Sequence, residues 1–181
     1  HLGTHHLGTH HLGSPKLRGR KGSVYEGGHK VPAIACWPGA IAAGSESDTP
    51  LISIDIMPTL LSLAKATITE PAMDGVDLSS VFLKNETLPA RPLFWASLSN
   101  GGQRSEAMRD GEWKLVVQHP KSKPGTFENE AIELFHLAKD PEEKTNLAKQ
   151  KPKQAAKMLT ALKAWFAETS ASSPPQPGGW K

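Results

Sequence analysis

The sequence predicts an α+β fold in which a small antiparallel sheet carries a C-terminal helix on one face. Three observations predict it. Short strand-like runs occur at 93–95, 105–109, 112–118 and 132–137. Asp110-Gly111 stands between the second and third runs, where a two-residue hairpin turn calls for positive φ at both central residues. Across 151–168, Ala155, Met158, Leu159, Leu162, Trp165 and Phe166 recur at helical spacing, with Lys153, Lys157 and Lys163 off that stripe.

The bulk numbers fit such a fold. The chain has 181 residues, enough for a sizeable core. It is 38% hydrophobic and 22% charged, and its net charge of +3 does not demand a nucleic acid or a membrane as partner. No apolar run approaches the roughly 18 residues that a membrane helix needs. Cys36 is the single cysteine, so an internal disulfide is excluded. The first residue is His rather than Met, from which a piece of a longer protein is expected.

In chain order, residues 1–15 (HLGTHHLGTHHLGSP) hold five of the eight histidines in a tandem repeat. Gly3, Gly8 and Gly13 discourage helix, and a loop is expected. Val31 to Trp37 is an apolar run closed by Pro38-Gly39, expected as a buried strand with Cys36 a small core residue. Residues 55–64 read as a helix capped by Asp55, with Pro58 tolerated in its first turn. Its inward face would be Ile56, Leu60 and Leu63, widened by Leu61 and Ala64. Residues 66–92 read as mixed loop with a helical turn near 76–83, and Asn85-Glu86-Thr87 fits the N-glycosylation pattern. Residues 119–130 read as a polar loop, 140–143 as the start of a helical turn, and 171–181 as a disordered tail. Lone His119 and His136 are expected to be structural or exposed.

Two features could carry chemistry. Lys16, Arg18, Arg20 and Lys21 place four cations within six residues, and Gly19 and Gly22 flank the last pair. Such a loop can bring a cation and free N–H groups to an oxyanion. It can equally be a solvated basic loop or a nucleic-acid patch, although only Tyr25 supplies an aromatic beside it and no recognition helix follows. The His repeat could bind zinc, nickel or copper, but no acid precedes Glu26 to complete a site. A non-enzymatic anion- or metal-binding module is therefore one reading of the chain.

The pattern of motifs resembles the sulfatase family, of the arylsulfatase and N-acetylgalactosamine-6-sulfatase type within the alkaline-phosphatase-like superfamily. Leu17, Arg18, Gly19, Lys21, Gly22, Glu26, Gly27, Gly28, Val31, Pro32, Trp37, Pro38 and Gly39 match one segment of that family. SIDIMPTLLSLAKA, MDGVDLSSVF, RPLFW, AMRDGEWKLV and ELFHLAKDPEEKTNLA resemble later segments in the same order over 16–168. The resemblance implies sulfate-ester hydrolysis by a formylglycine nucleophile with a calcium ion clamping the sulfate. It implies Lys21 as the sulfate contact, with Arg18 and His29 as further candidates for substrate binding. The nucleophile motif and the calcium ligands have no match here, so no metal or cofactor is assigned to these residues and no turnover is expected of the chain alone. The implied division is 1–15 as a His-rich loop, 16–90 as the end of an α/β catalytic domain, 91–170 as an antiparallel subdomain with helix 151–168, and 171–181 as tail. Implied partners are a sulfated small molecule or glycan, without nucleic acid or membrane, and the implied location is exported. A phosphoryl-transfer enzyme of the same superfamily is a weaker alternative. Ala96-Ser97 replaces the acid often found after the strand at Trp95.

Overall fold

A computed structural model describes residues 16–66, 73–98, 104–119 and 131–172. The His repeat, most of the loop at 119–130 and nearly all of the tail expected to be disordered lie outside these. The chain divides into two compact units: the described residues up to Val31 join those from Arg91 onward, and Pro32–Ala90 form the other.

The first unit is built on four antiparallel strands in sequential order: β1 (Leu93–Leu98), β2 (Arg104–Asp110), β3 (Trp113–Gln118) and β4 (Ala131–His136). Asp110 pairs with Trp113, so the β2–β3 turn is Gly111-Glu112, one residue later than expected. Only Gly111 has positive φ, +58°, as a turn with glycine at its first central position requires. Strand alternation then sends Met108, Leu115, Val117 and Leu134 to one face. There the long helix α4 of this unit (Pro152–Ser172) lays Ala155, Met158 and Leu162 on them, with Phe94, Trp113, Leu159 and Trp165 at the margin. Leu115, Leu134, Met158 and Leu162 are fully buried, each stabilising by about 1.5–3 kcal/mol. The sheet with its covering helix, expected from pattern, is the observed architecture.

The opposite face is covered as well. Val24 and Tyr25 of the basic, glycine-rich segment pack with Ala107, Val116, Phe135, Leu137 and Trp95. That segment includes the single-turn helix α1 (Glu26–His29). Local sequence grouped residues 16–31 with those that follow, whereas their apolar side chains find cover on the sheet.

In the second unit, a 3-10 turn (Ser53–Asp55) leads into α2 (Ile56–Leu63), and α3 (Ser79–Lys84) follows. Three expectations are corrected here. Residues 31–37 form no strand, and Cys36 is exposed rather than buried. An apolar run becomes a strand only where neighbouring strands pair with it, and among the described residues none does. Asp55 does not cap α2; its carboxylate accepts N–H bonds from Ile52 and Val76, both at 3.0 Å. The face of α2 is also inverted: Pro58 and Thr59 are buried, while Ile56 and Leu60 point outward. Thr59 holds that inversion by donating to the Asp55 carbonyl at 2.6 Å and accepting from the Leu78 N–H at 2.9 Å.

Candidate functional site

Lys21 sits at the tip of a tight turn over residues 20–23, closed by Ser23 N–H donating to the Arg20 carbonyl at 2.9 Å. Gly22 follows it at φ +85°, the left-handed conformation that the third residue of such a turn favours. Ser97 on edge strand β1 donates its hydroxyl to the Gly22 carbonyl at 2.7 Å. The serine that stands where an acid is often found thus fixes the turn to the sheet. Lys21 is exposed, and among the described residues it makes no ion pair or hydrogen bond.

The turn rests on α1, and the Glu-Gly-Gly sequence explains how. A Cβ on Gly28 would lie 2.1 Å from the Ser23 carbonyl oxygen and 2.8 Å from that of Arg20. A Cβ on Gly27 would meet the Arg18 carbonyl oxygen at 2.7 Å. Only glycine lets the α1 backbone approach the Lys21 turn this closely.

Beneath α1 lies a buried charged cluster centred on Lys114 of β3. Its ammonium is fully buried: it donates to Glu26 Oε1 at 2.8 Å, lies 3.1 Å from His29 Nε2, and forms an ion pair with Glu143 Oε1 at 2.9 Å. Glu143 Oε2 also accepts the Glu26 backbone N–H at 2.7 Å. The two carboxylates diverge. Burial raises the pKa of each, but at Glu26 the charge and hydrogen bond of Lys114 outweigh it and the net shift is downward. At Glu143 burial wins and the net shift is upward. Burial, then the nearby ammonium, push His29 down to about 4, so its ring is neutral at pH 7. Its Nε2 also lies 3.1 Å from the Val24 carbonyl. A neutral ring cannot donate there and accept from Lys114 at once, and the ammonium favours the lone pair. The ring stacks on Trp95, centroids 4.3 Å apart.

The three residues singled out in the sequence are therefore placed differently. Lys21 faces solvent at the turn. His29 is half-buried between Lys114 and Trp95. Arg18 packs over the Tyr25 ring at 3.9 Å and donates to Glu133 Oε1 at 3.1 Å and to the Glu143 carbonyl at 3.0 Å. The Tyr25 hydroxyl donates to the same Glu133 carboxylate, and burial followed by that bond raises the phenol's pKa. Arg18 and His29 thus brace the segment that carries Lys21. His136 packs edge-on to Trp113 with Nε2 3.3 Å from Glu112, and His119 is buried against Glu106.

Sequence reasoning missed Lys114, Glu26, Glu143 and Glu133. The available signal was a lysine inside Trp113-Lys114-Leu115-Val116-Val117, where both strand faces are apolar and a cation must find buried partners. Among the described residues no group of three or more His, Cys, Asp and Glu side chains could hold a metal ion. Cys36-Trp37-Pro38 does not offer the spacing of the formylglycine motif. The described residues therefore do not fit the calcium or the nucleophile, and no step is routed through either.

Residues 20–171 match the family described as N-sulphoglucosamine sulphohydrolase, C-terminal. Arylsulfatase A of Bos taurus is 33% identical over 180 residues, covering 88% of this chain and 35% of that protein. A sulfatase of Formosa agariphila is 33% identical over 174 residues, covering 86% and 30%. A protein solved in connection with the metabolism of multiple glycosaminoglycans by Bacteroides thetaiotaomicron superposes with TM-score 0.65 at 25% identity, covering 82% of this chain and 32% of that one. Ps i-CgsB in complex with k-i-k-neocarrahexaose gives TM-score 0.67 at 28% identity, covering 82% and 31%. The chain thus spans about a third of the length of these relatives.

Proposed function

The chain belongs to the sulfatase family, through its N-sulphoglucosamine sulphohydrolase C-terminal segment, and on that premise we propose that it forms the C-terminal part of an enzyme hydrolysing sulfate esters, with Lys21 as the sulfate contact. One observation carries this assignment: a lysine with no protein partner among the described residues is held outward on a turn braced by Ser97 below and α1 behind. A lysine whose backbone is fixed in this way can bring its ammonium to a sulfate and to the oxygen it releases and neutralise charge there. Lysine suits the role as a compact point charge.

Arg18 and His29 serve the same site indirectly, since their polar atoms are occupied by Glu133, Tyr25, Glu143 and Lys114. In the whole enzyme, formylglycine would supply the nucleophile and calcium the clamp, both from residues other than those described. The substrate class we infer is a sulfated glycan or small molecule, because the relatives include one tied to glycosaminoglycan metabolism. Export from the cytosol belongs to the same reading; no helix among the described residues is long and apolar enough to cross a membrane.

Titration of the 181-residue chain with sodium sulfate, followed by amide NMR, tests the site. The Lys21 and Gly22 signals are expected to shift saturably, and Lys21→Ala to abolish the shift. An unchanged response in that variant would remove Lys21 from the site. The chain alone is expected to give no turnover of an aryl sulfate, and clear hydrolysis would place the nucleophile within it.

A further inference from the structure

The loop that presents Lys21 is gripped near both ends by one residue from far along the chain. Glu143 closes a turn over 140–143, where its N–H donates to the Asp140 carbonyl at 3.1 Å. Its carboxylate Oε2 accepts the Glu26 N–H at 2.7 Å, and its carbonyl accepts the Arg18 guanidinium at 3.0 Å. Tyr25, the residue before α1, offers that helix no side-chain cap, so the Glu26 N–H relies on Glu143. The Gly27 N–H then donates to the Arg18 carbonyl at 2.7 Å, which closes the loop with the Lys21 turn between its ends.

Glu143 is fully buried and is held at φ +54°, the left-handed region that side chains other than glycine disfavour. Such a conformation persists only where the surroundings impose it. Glycine would suit the turn alone better. Glutamate supplies what glycine cannot, a carboxylate for the Glu26 N–H and for the Lys114 ammonium. The platform beneath it is tied to β4. The Asp140 carboxylate accepts the N–H groups of Lys144 and Thr145 at 3.0 and 2.8 Å. Asn146 Oδ1 accepts the Leu134 N–H at 3.1 Å, and the Leu147 N–H donates to the Leu134 carbonyl at 2.8 Å. We propose that Glu143 is a positioning residue for the sulfate contact: it clasps Arg18 and Glu26 together and so fixes the turn that carries Lys21. It acts only through Arg18 and the α1 backbone. Its effect on sulfate rests on the reading of Lys21 above.

Glu143→Ala and Glu143→Gly test this in the 181-residue chain by amide NMR, with folding of each variant checked by circular dichroism. Glycine adopts the positive φ freely and keeps the carbonyl for Arg18, so that variant removes the carboxylate with the smaller risk of unfolding. In the wild type, the Lys21 and Gly22 amides are expected to be as rigid as structured backbone, with order parameters of about 0.85, and in both variants to fall below about 0.6. The dissociation constant for sodium sulfate should rise at least fivefold. Met158→Ala, in the core on the other face of the sheet, lowers stability and should change neither quantity. Order parameters and affinity that stay unchanged in the Glu143 variants, or that fall equally in Met158→Ala, would overturn the proposal. So would a wild type already mobile at Lys21, or one whose Glu26 amide exchanges as fast as in an unfolded peptide, and neither measurement needs a variant. A wild type rigid at Lys21 but unresponsive to sulfate refutes the sulfate contact, and the order parameters then judge the clasp by themselves.

Discussion

At the scale of single residues, Lys114 is the pivot. A buried ammonium facing two buried carboxylates is costly to assemble, but removing it leaves both carboxylates unpaired, which is worse. Lys114→Ala is therefore expected to destabilise the sheet unit by about 3–5 kcal/mol in urea unfolding. Lys30→Ala is the contrast. Its ammonium lies 4.0 Å from Glu26 Oε2 but is 56% exposed, and its loss should cost under about 1 kcal/mol. Equal effects of the two changes would show that the cluster is not a desolvated ion network. Glycines on both sides of Arg20-Lys21 signalled a turn, and the resemblance to the sulfatase family singled out Lys21 within it. It could not pick out Glu26 or Glu143, because their roles depend on a lysine 88 residues from one of them.

At the scale of elements, legibility followed how local the cause is. The hairpin and α4 were legible, since one glycine and one apolar stripe encode them. The turn shifted by one residue because strand register, set by Met108 opposite Leu115, decides which two residues remain unpaired. Helix α2 was legible as a helix but not in its orientation: its spacing favoured Ile56 and Leu60 as the inner face, and Thr59's two hydrogen bonds selected the other side. The run at 31–37 was read as a strand from composition alone, and a strand's partners are non-local. The α1 contact makes its own prediction. Gly28→Ala drives a methyl group against the Ser23 carbonyl and should cost about 1–3 kcal/mol or more, with loss of the Lys21 sulfate response. Gly22→Ala meets no neighbouring atom and suffers only the left-handed backbone penalty, about 1–2 kcal/mol. Thermal unfolding of both variants would refute the close-approach account if Gly22→Ala were the more damaging.

At the scale of the whole molecule, the sheet unit is a layered body whose middle layer is wet on neither face, and its stability is tied to protons held in the layer under α1. His29 ordinarily titrates near 6.5 and here near 4. Between those values the unfolded chain binds a proton at this site and the folded chain does not, so stability falls as pH falls through the window. Glu143 acts in the opposite sense. Its pKa is raised, so just above 4.5 the folded state holds the extra proton and acidification favours folding. Glu26, lowered, adds a loss of stability only below its ordinary value of 4.5. His29→Gln deletes the first contribution and leaves the others. Melting temperatures of the wild type are therefore expected to drop more steeply from pH 6.5 to pH 5 than those of His29→Gln, whatever the variant's stability at pH 7. The comparison rests on slopes, so loss of the stacking on Trp95 does not enter it. Parallel slopes would mean that His29 titrates alike in the folded and unfolded chain, and that burial beside the Lys114 ammonium does not hold its ring neutral.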